Sequence, residues 1–294
     1  MIKQKSSIGS ISSTQPFLNS VYGLSRFCGF YFIAGFNAKL TRHGTPYWEV
    51  IIQDAFDTVA IYSDKLEPII AKLTPYSPIQ VECARRKRYD QYYFIADMVS
   101  PITEIPAKNR HVSLIPYSLL VDGYDLPRLL DCTSKISFAP LQHFVHSVLL
   151  QSKVMVPFIR NPASINFHHN ILGGLLTHSL GVVDLIAKEF THGTTEYDIA
   201  ITAALLHDIG KTQTFSTSLN RTALGSVADH DSLTLEICAQ PLSDLSNEHP
   251  HIANQLRHAW TCASPKARYG FTPQTRVAKQ LQIADSLNAK VYQL

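Results

Sequence analysis

The chain has 294 residues, more than one comfortable hydrophobic core, so two modest domains are the expectation. Hydrophobic residues make up 45% and charged residues 17%, which excludes a wholly disordered chain. The formal net charge of +3, from 26 Lys+Arg against 23 Asp+Glu, tolerates a polyanionic partner without demanding one, so that case must rest on local clustering.

Cys28, Cys83, Cys132, Cys238 and Cys262 are scattered, odd in number and form no CxxC pair. Neither a disulfide framework nor a zinc ribbon is expected, and a reducing, cytoplasmic setting fits. The basic start is followed by a Ser-rich stretch without the apolar core of a signal peptide. No apolar run is long enough to span a bilayer, so no membrane contact is expected.

Residues 1–22 read as a polar, flexible tail. From residue 23 the texture changes to short β-type runs at 27–36, 47–54, 58–62, 79–83 and 91–99, with a Gly44-Thr45-Pro46 turn before the second. One helical interruption, 65–73, falls between the third and fourth runs. Five strands with a helix after the third is the order of an OB-like barrel, assigned to 23–103. Residues 104–123 read as a linker, and 124–294 as an all-α domain. Asp125 with Pro127 opens one helix and Pro140 another. Further helices are expected over 171–190, 197–208, 231–238, 252–261 and 273–292. The fold class is therefore two-domain, β then α.

Within the helical half, Leu205-Leu206-His207-Asp208-Ile209-Gly210-Lys211 stands out. Adjacent side chains on a regular helix diverge, so His207 and Asp208 can share an ion only near a helix end, and Gly210 is expected to supply the break. Imidazole nitrogen with carboxylate oxygen suits a divalent ion such as Mn²⁺, Mg²⁺, Fe²⁺ or Zn²⁺. Lys211, beyond the break, is placed to meet a phosphate oxygen as a point charge.

This pattern resembles the HD superfamily of metal-dependent phosphohydrolases. His168-His169, Gly173-Gly174-Leu175 and His178-Ser179 are similar to the family's first metal-ligand helix, and Asp285 matches its distal aspartate. The resemblance implies His178, His207, Asp208 and Asp285 as core metal ligands, with Asp208 and Lys211 as the catalytic groups. His230 and His258 match histidines found where a second metal binds. His258 is followed by Ala259 where binuclear members often pair histidines, so one or two ions stay open. His168 and His169 are expected to support or pack, not to ligate. Taken alone, His178 reads as an ordinary core-edge histidine, and His230 and His258 read equally as ligand, helix-cap neighbour or substrate contact; the ordered set carries the resemblance.

The OB-like domain ahead of this set, with Asn161-Pro162-Ala163-Ser164 before His168, resembles the OB-plus-HD 3′→5′ exoribonucleases of the YhaM type. The same run also resembles the HD-type domain of MobH-class conjugative relaxases. The leading expectation is hydrolysis of single-stranded RNA or DNA, RNA first. Processing of mobile-element DNA, a small-nucleotide phosphohydrolase and an inactive binding module are the alternatives, and association of copies is left open. Lys39, Arg42, Tyr47, Trp48, Arg85, Arg86, Lys87 and Arg88 interleave with further tyrosines, the pattern single-strand binders use. By itself Arg85 to Arg88 would read as a solvated hairpin.

Overall fold

The computed structural model describes residues 15–66, 70–165, 169–263 and 270–291. Its first unit is a closed five-stranded barrel built from β1 (Arg26–Leu40), β2 (Pro46–Gln53), β3 (Thr58–Ser63), β4 (Pro78–Arg88) and β5 (Gln91–Pro101). The strand order is β1-β2-β3-β5-β4, closed by pairing of β4 with β1, and only the β3–β5 contact is parallel. This is an OB-like barrel. β1 is the long strand: Arg26 to Phe32 pairs with β4, and Phe32 to Leu40 pairs with β2. A register shift between Ile33 and Gly35 bends it around the corner, as a bulge does. Alternate residues point inward, so Tyr31, Ile33, Val50, Ile52, Val59, Ile61, Val81 and Phe94 fill the barrel.

Three features differ from the reading of the sequence. Residues 15–22, assigned to a tail, are packed on the barrel. Leu18 and Val21 are fully buried, Gln15 bonds both the N–H and the C=O of Phe30, and the Leu18 N–H donates to Asp54 Oδ2. Residues 1–14 lie outside the described residues. Instead of a helix over 65–73 the described residues show one 3-10 turn, Ile70–Lys72, flanked by buried Leu66 and Leu73; 67–69 lie outside the described residues.

The connector 104–123 is also structured. It forms three 3-10 turns whose Val112, Leu114, Ile115 and Leu119 are buried. Its backbone bonds the β2–β3 turn, Ala55 N–H to Ser113 O and Tyr117 N–H to Asp54 O. Phe32 and Ala55 from the barrel join the core of the second unit through it.

The second unit is all helical: α1 (Asp125–Ser134), α2 (Ala139–Leu149), α3 (Met155–Arg160), α4 (Gly174–Ile186), α5 (Thr195–Leu206), α6 (Lys211–Thr214), α7 (His230–Glu248), α8 (Pro250–Thr261) and α9 (Arg276–Val291). α5 is the central element. Every residue from Tyr197 to Leu206 is buried, and α2, α4, α8 and α9 pack around it. A helix apolar on all sides belongs in a core. Thr194 caps it, its Oγ1 accepting from the Tyr197 N–H at 3.2 Å. Among the described residues no helix is long and apolar enough to cross a membrane.

Candidate metal centre

α5 stops at Leu206 and delivers His207 and Asp208 in the turn that follows. The turn does not depend on a left-handed glycine. Gly210 has φ −60° and ψ −24°, ordinary right-handed backbone. Its lack of a side chain serves another purpose: a Cβ there would lie 1.9 Å from His230 O, so glycine lets the start of α7 approach. The Gly210 N–H donates to Thr234 Oγ1 at 3.1 Å, and that hydroxyl donates to His207 O at 3.3 Å. α7 is thereby stitched to the turn.

Two elements converge with it. α4 brings His178, fully buried, and α9 brings Asp285. His178 Nε2 lies 3.3 Å from His207 Nε2, 3.4 Å from Asp208 Oδ2 and 3.2 Å from Asp285 Oδ1. His207 Nε2 lies 3.3 Å from Asp208 Oδ2 and 3.7 Å from Asp285 Oδ1. An ion roughly 2.1 Å from each of two donors, at tetrahedral or octahedral angles, separates them by about 3.0–3.4 Å. His178, His207 and Asp208 at this spacing fit a divalent cation, and Asp285 stands against both imidazoles at 3.2 and 3.7 Å.

Each ring is held from behind so that Nε2 faces the centre. The His207 Nδ1–H donates to Ala204 O at 2.8 Å, and the His178 Nδ1–H donates to Asn288 Oδ1 at 2.8 Å. His169, expected as a supporting residue, bonds the same Asn288 oxygen at 3.2 Å. His168 lies outside the described residues.

The electrostatics favour positive charge here. Burial works against the His207 cation, yet Asp208 and Asp285 outweigh it and push its pKa up to about 10. The same carboxylates raise His178 against its burial. Burial opposes the Asp208 anion, but Lys211 and His207 hold it well below the usual carboxylate range. Asp285 is lowered against its burial by His178 and His207.

Lys211 Nζ sits 2.6 Å from Asp208 Oδ2, and Lys211 also lines a cavity of about 410 Å³ that opens beside the centre. His230 Nε2 lies 3.4 Å from Asp208 Oδ1 and 3.3 Å from Asp231 Oδ1, and its Nδ1 is 3.1 Å from Asp229 Oδ1. Asp229, His230 and Asp231 thus make a second acid–imidazole group against the first. His258 is not brought in. Its Nε2 accepts from the Gln274 N–H at 2.9 Å, and among the described residues no bond or ion pair joins it to the others. Sequence reasoning missed Asn288 and the two aspartates. Asn288 follows Asp285 by one helical turn, and Asp-His-Asp is visible in the sequence, so both carried a signal.

On the barrel, Lys39 is paired with Glu49 at 2.6 Å, and Trp48 packs half-buried, edge-on to Phe36. Arg42 is exposed in the β1–β2 loop. Tyr47, Tyr62 and Tyr93 form a row across β2, β3 and β5, with ring centroids 6.1 and 6.4 Å apart. Arg86 stands opposite Tyr93 in the β4–β5 register. Arg85 bonds Tyr22 O and lies 4.5 Å over the Tyr92 ring; Lys87 pairs with Asp90 at 3.6 Å, and Arg88 lies 5.8 Å over the Tyr89 ring.

The helical unit thus gathers imidazoles and carboxylates from α4, the α5–α6 turn and α9 in a cluster that could hold a divalent ion. Residues 175–290, within this helical unit, match the HD domain family, so the unit carries an HD domain. The chain is 26% identical over 148 residues to the 3′-5′ exoribonuclease YhaM of Shouchella clausii, covering 48% of this chain and 46% of that protein. It is 25% identical over 148 residues to the same-named protein of Halalkalibacterium halodurans and 26% to that of Bacillus velezensis, with the same coverage. The aligned stretch thus takes in about half the length of each relative.

Proposed function

We propose that this chain is a metal-dependent 3′→5′ exonuclease of single-stranded nucleic acid, RNA before DNA. The observation that carries the reading is the convergence of His178, His207, Asp208 and Asp285 beside a pocket that shares Lys211 with them. The likeness to exoribonucleases supports the polarity and the substrate.

A divalent ion held by those four residues would supply Lewis acidity, lowering the pKa of a water and polarising a phosphoryl oxygen. The chain's own groups do the rest. Asn288 and Ala204 O keep the imidazoles aimed. Asp208, kept anionic by Lys211, is available both to ligate and to orient the attacking water. Lys211 reaches from the carboxylate toward the pocket, where its ammonium neutralises charge on the phosphoryl group being transferred. His230, between Asp229 and Asp231, holds the position of a second ion or a substrate contact. The tyrosine row and the cations of the β4–β5 hairpin give the barrel stacking surfaces and a basic edge for an incoming strand.

The test is incubation of 5′-labelled single-stranded RNA and DNA with the protein and Mn²⁺, Mg²⁺, Fe²⁺ or Zn²⁺, beside Asp208→Ala. The expected result is a ladder shortening from the 3′ end, stronger on RNA and absent in the variant. Intact substrate with every metal would overturn the reading.

A further inference from the structure

The cavity beside the metal centre has two kinds of wall. Lys211 and His230 belong to the centre itself, while Phe215 and Arg221 line it without taking part in the metal cluster. Phe215 and Arg221 are locked opposite each other by an isolated antiparallel bridge. The Arg221 guanidinium lies 5.5 Å over the Phe215 ring, and its Nη1 donates to Gly225 O at 3.0 Å. Gly225 must be glycine for this loop to close, because a Cβ would lie 2.2 Å from Thr214 O. Phe215 O is held in turn by the buried Asn161 amide at 2.7 Å. Among the described residues no carboxylate pairs with Arg221, although it is exposed.

A planar cation backed by a buried ring, fixed at its base and free of an acidic partner, is a stacking platform for a nucleobase. A volume of about 410 Å³ is at the small end of ligand pockets, which span roughly 300–1,000 Å³. We infer that this cavity is the terminal-nucleotide pocket of the enzyme: it takes one nucleoside 5′-phosphate unit, the base on Arg221 and the phosphate toward Lys211. The inference rests on the nuclease reading for its role in turnover, but not for the binding of the mononucleotide.

The chemistry is consistent with that placement. A water oxygen bonds to the phosphorus joining the last two residues, and the bond from phosphorus to the penultimate O3′ breaks. That oxygen leaves with a proton, giving a chain with a free 3′-hydroxyl and a 5′-mononucleotide in the pocket. Arg221 is a positioning residue in this scheme, holding the base while the centre acts on the phosphate.

The experiment compares wild type, Arg221→Ala and Arg221→Lys in the full chain. Equilibrium binding of 5′-AMP, measured without turnover, should weaken roughly tenfold in Arg221→Ala. Arg221→Lys should recover only part of it, since charge returns but the plane does not. With an oligoribonucleotide, KM should rise by a similar factor at little-changed kcat. Equal 5′-AMP binding by wild type and Arg221→Ala, or no binding by either, overturns the pocket even if RNA is degraded. Weakened 5′-AMP binding in a protein that cleaves no oligonucleotide upholds the pocket and sinks the exonuclease reading instead.

Discussion

Asn288 Oδ1 accepts from His178 Nδ1 at 2.8 Å and from His169 Nε2 at 3.2 Å, so one carboxamide orients a metal-facing imidazole and ties it to the loop before α4. Gly181 permits the contact, since a Cβ there would lie 2.2 Å from Asn288 Nδ2. Replacing Asn288 with Ala frees the His178 ring without touching its Nε2. Metal affinity is expected to fall about 10- to 100-fold with the helical circular dichroism unchanged. Titration calorimetry with Mn²⁺ checks this; wild-type affinity in Asn288→Ala would mean that packing alone aims the ring.

Gly210 makes a different prediction. Its backbone is ordinary, but a Cβ would meet His230 O at 1.9 Å and Thr234 N at 2.9 Å. Gly210→Ala must push the start of α7 away, at a cost of about 1–3 kcal/mol. It also carries His230 away from Asp208 Oδ1, now 3.4 Å distant. Urea unfolding should show the loss. Undiminished stability would mean that α7 yields freely and that the glycine is dispensable.

The barrel reading is tested at Tyr93, which shares a row with Tyr62 and stands opposite Arg86. Removing one stacking ring typically weakens single-strand binding by about 1–3 kcal/mol. Tyr93→Ala should therefore bind an oligonucleotide roughly 5- to 150-fold more weakly, with bis(4-nitrophenyl) phosphate hydrolysis unchanged. Arg86→Ala should instead lower the salt dependence of binding by about one unit in the log–log slope. Unaltered affinity in both variants would remove this face from the path of the strand.

The strands were legible because alternation and β-branched runs report burial directly, and His178, His207, Asp208 and Asp285, singled out in order along the sequence, lie together in the fold. Boundaries were not. β1 runs on to Leu40 and α7 on to Glu248 through Pro241, because pairing and packing extend elements past their local signals. Residues 15–22 are polar enough to read as a tail, and only the barrel shows that Leu18 and Val21 have a place to be buried. Gly210 was read as a helix breaker, whereas the demand on it comes from His230, twenty residues away in the chain. His258 carried the right residue type on the right helix, yet its contact to Gln274 depends on a chain path that no spacing reveals. The pairing of Lys39 with Glu49 follows from strand register, which a single sequence leaves undetermined.

His146 on α2 supplies a pH prediction away from the metal centre. Its side chain is 5% exposed, among the described residues neither ring nitrogen has a hydrogen-bond partner, and the His111 ring lies 4.3 Å away. Burial, with smaller contributions from His111 and His143, pushes its pKa down to about 3. An unfolded histidine titrates near 6.5, so below that pH the unfolded chain binds a proton that the folded chain refuses. Folding stability from this residue is intact above about pH 6.5 and falls by ~1.4 kcal/mol per pH unit from there toward pH 3. His207, whose pKa is raised, works in the opposite sense, so the comparison is made against His146→Phe, which keeps the ring and removes the titration. Between pH 7.5 and 5.0 the stability gap between variant and wild type, read from urea midpoints, should move by ~2 kcal/mol in favour of the variant. A gap that stays constant would mean that folded His146 accepts its proton as readily as an unfolded one, and that the buried ring is reached by water.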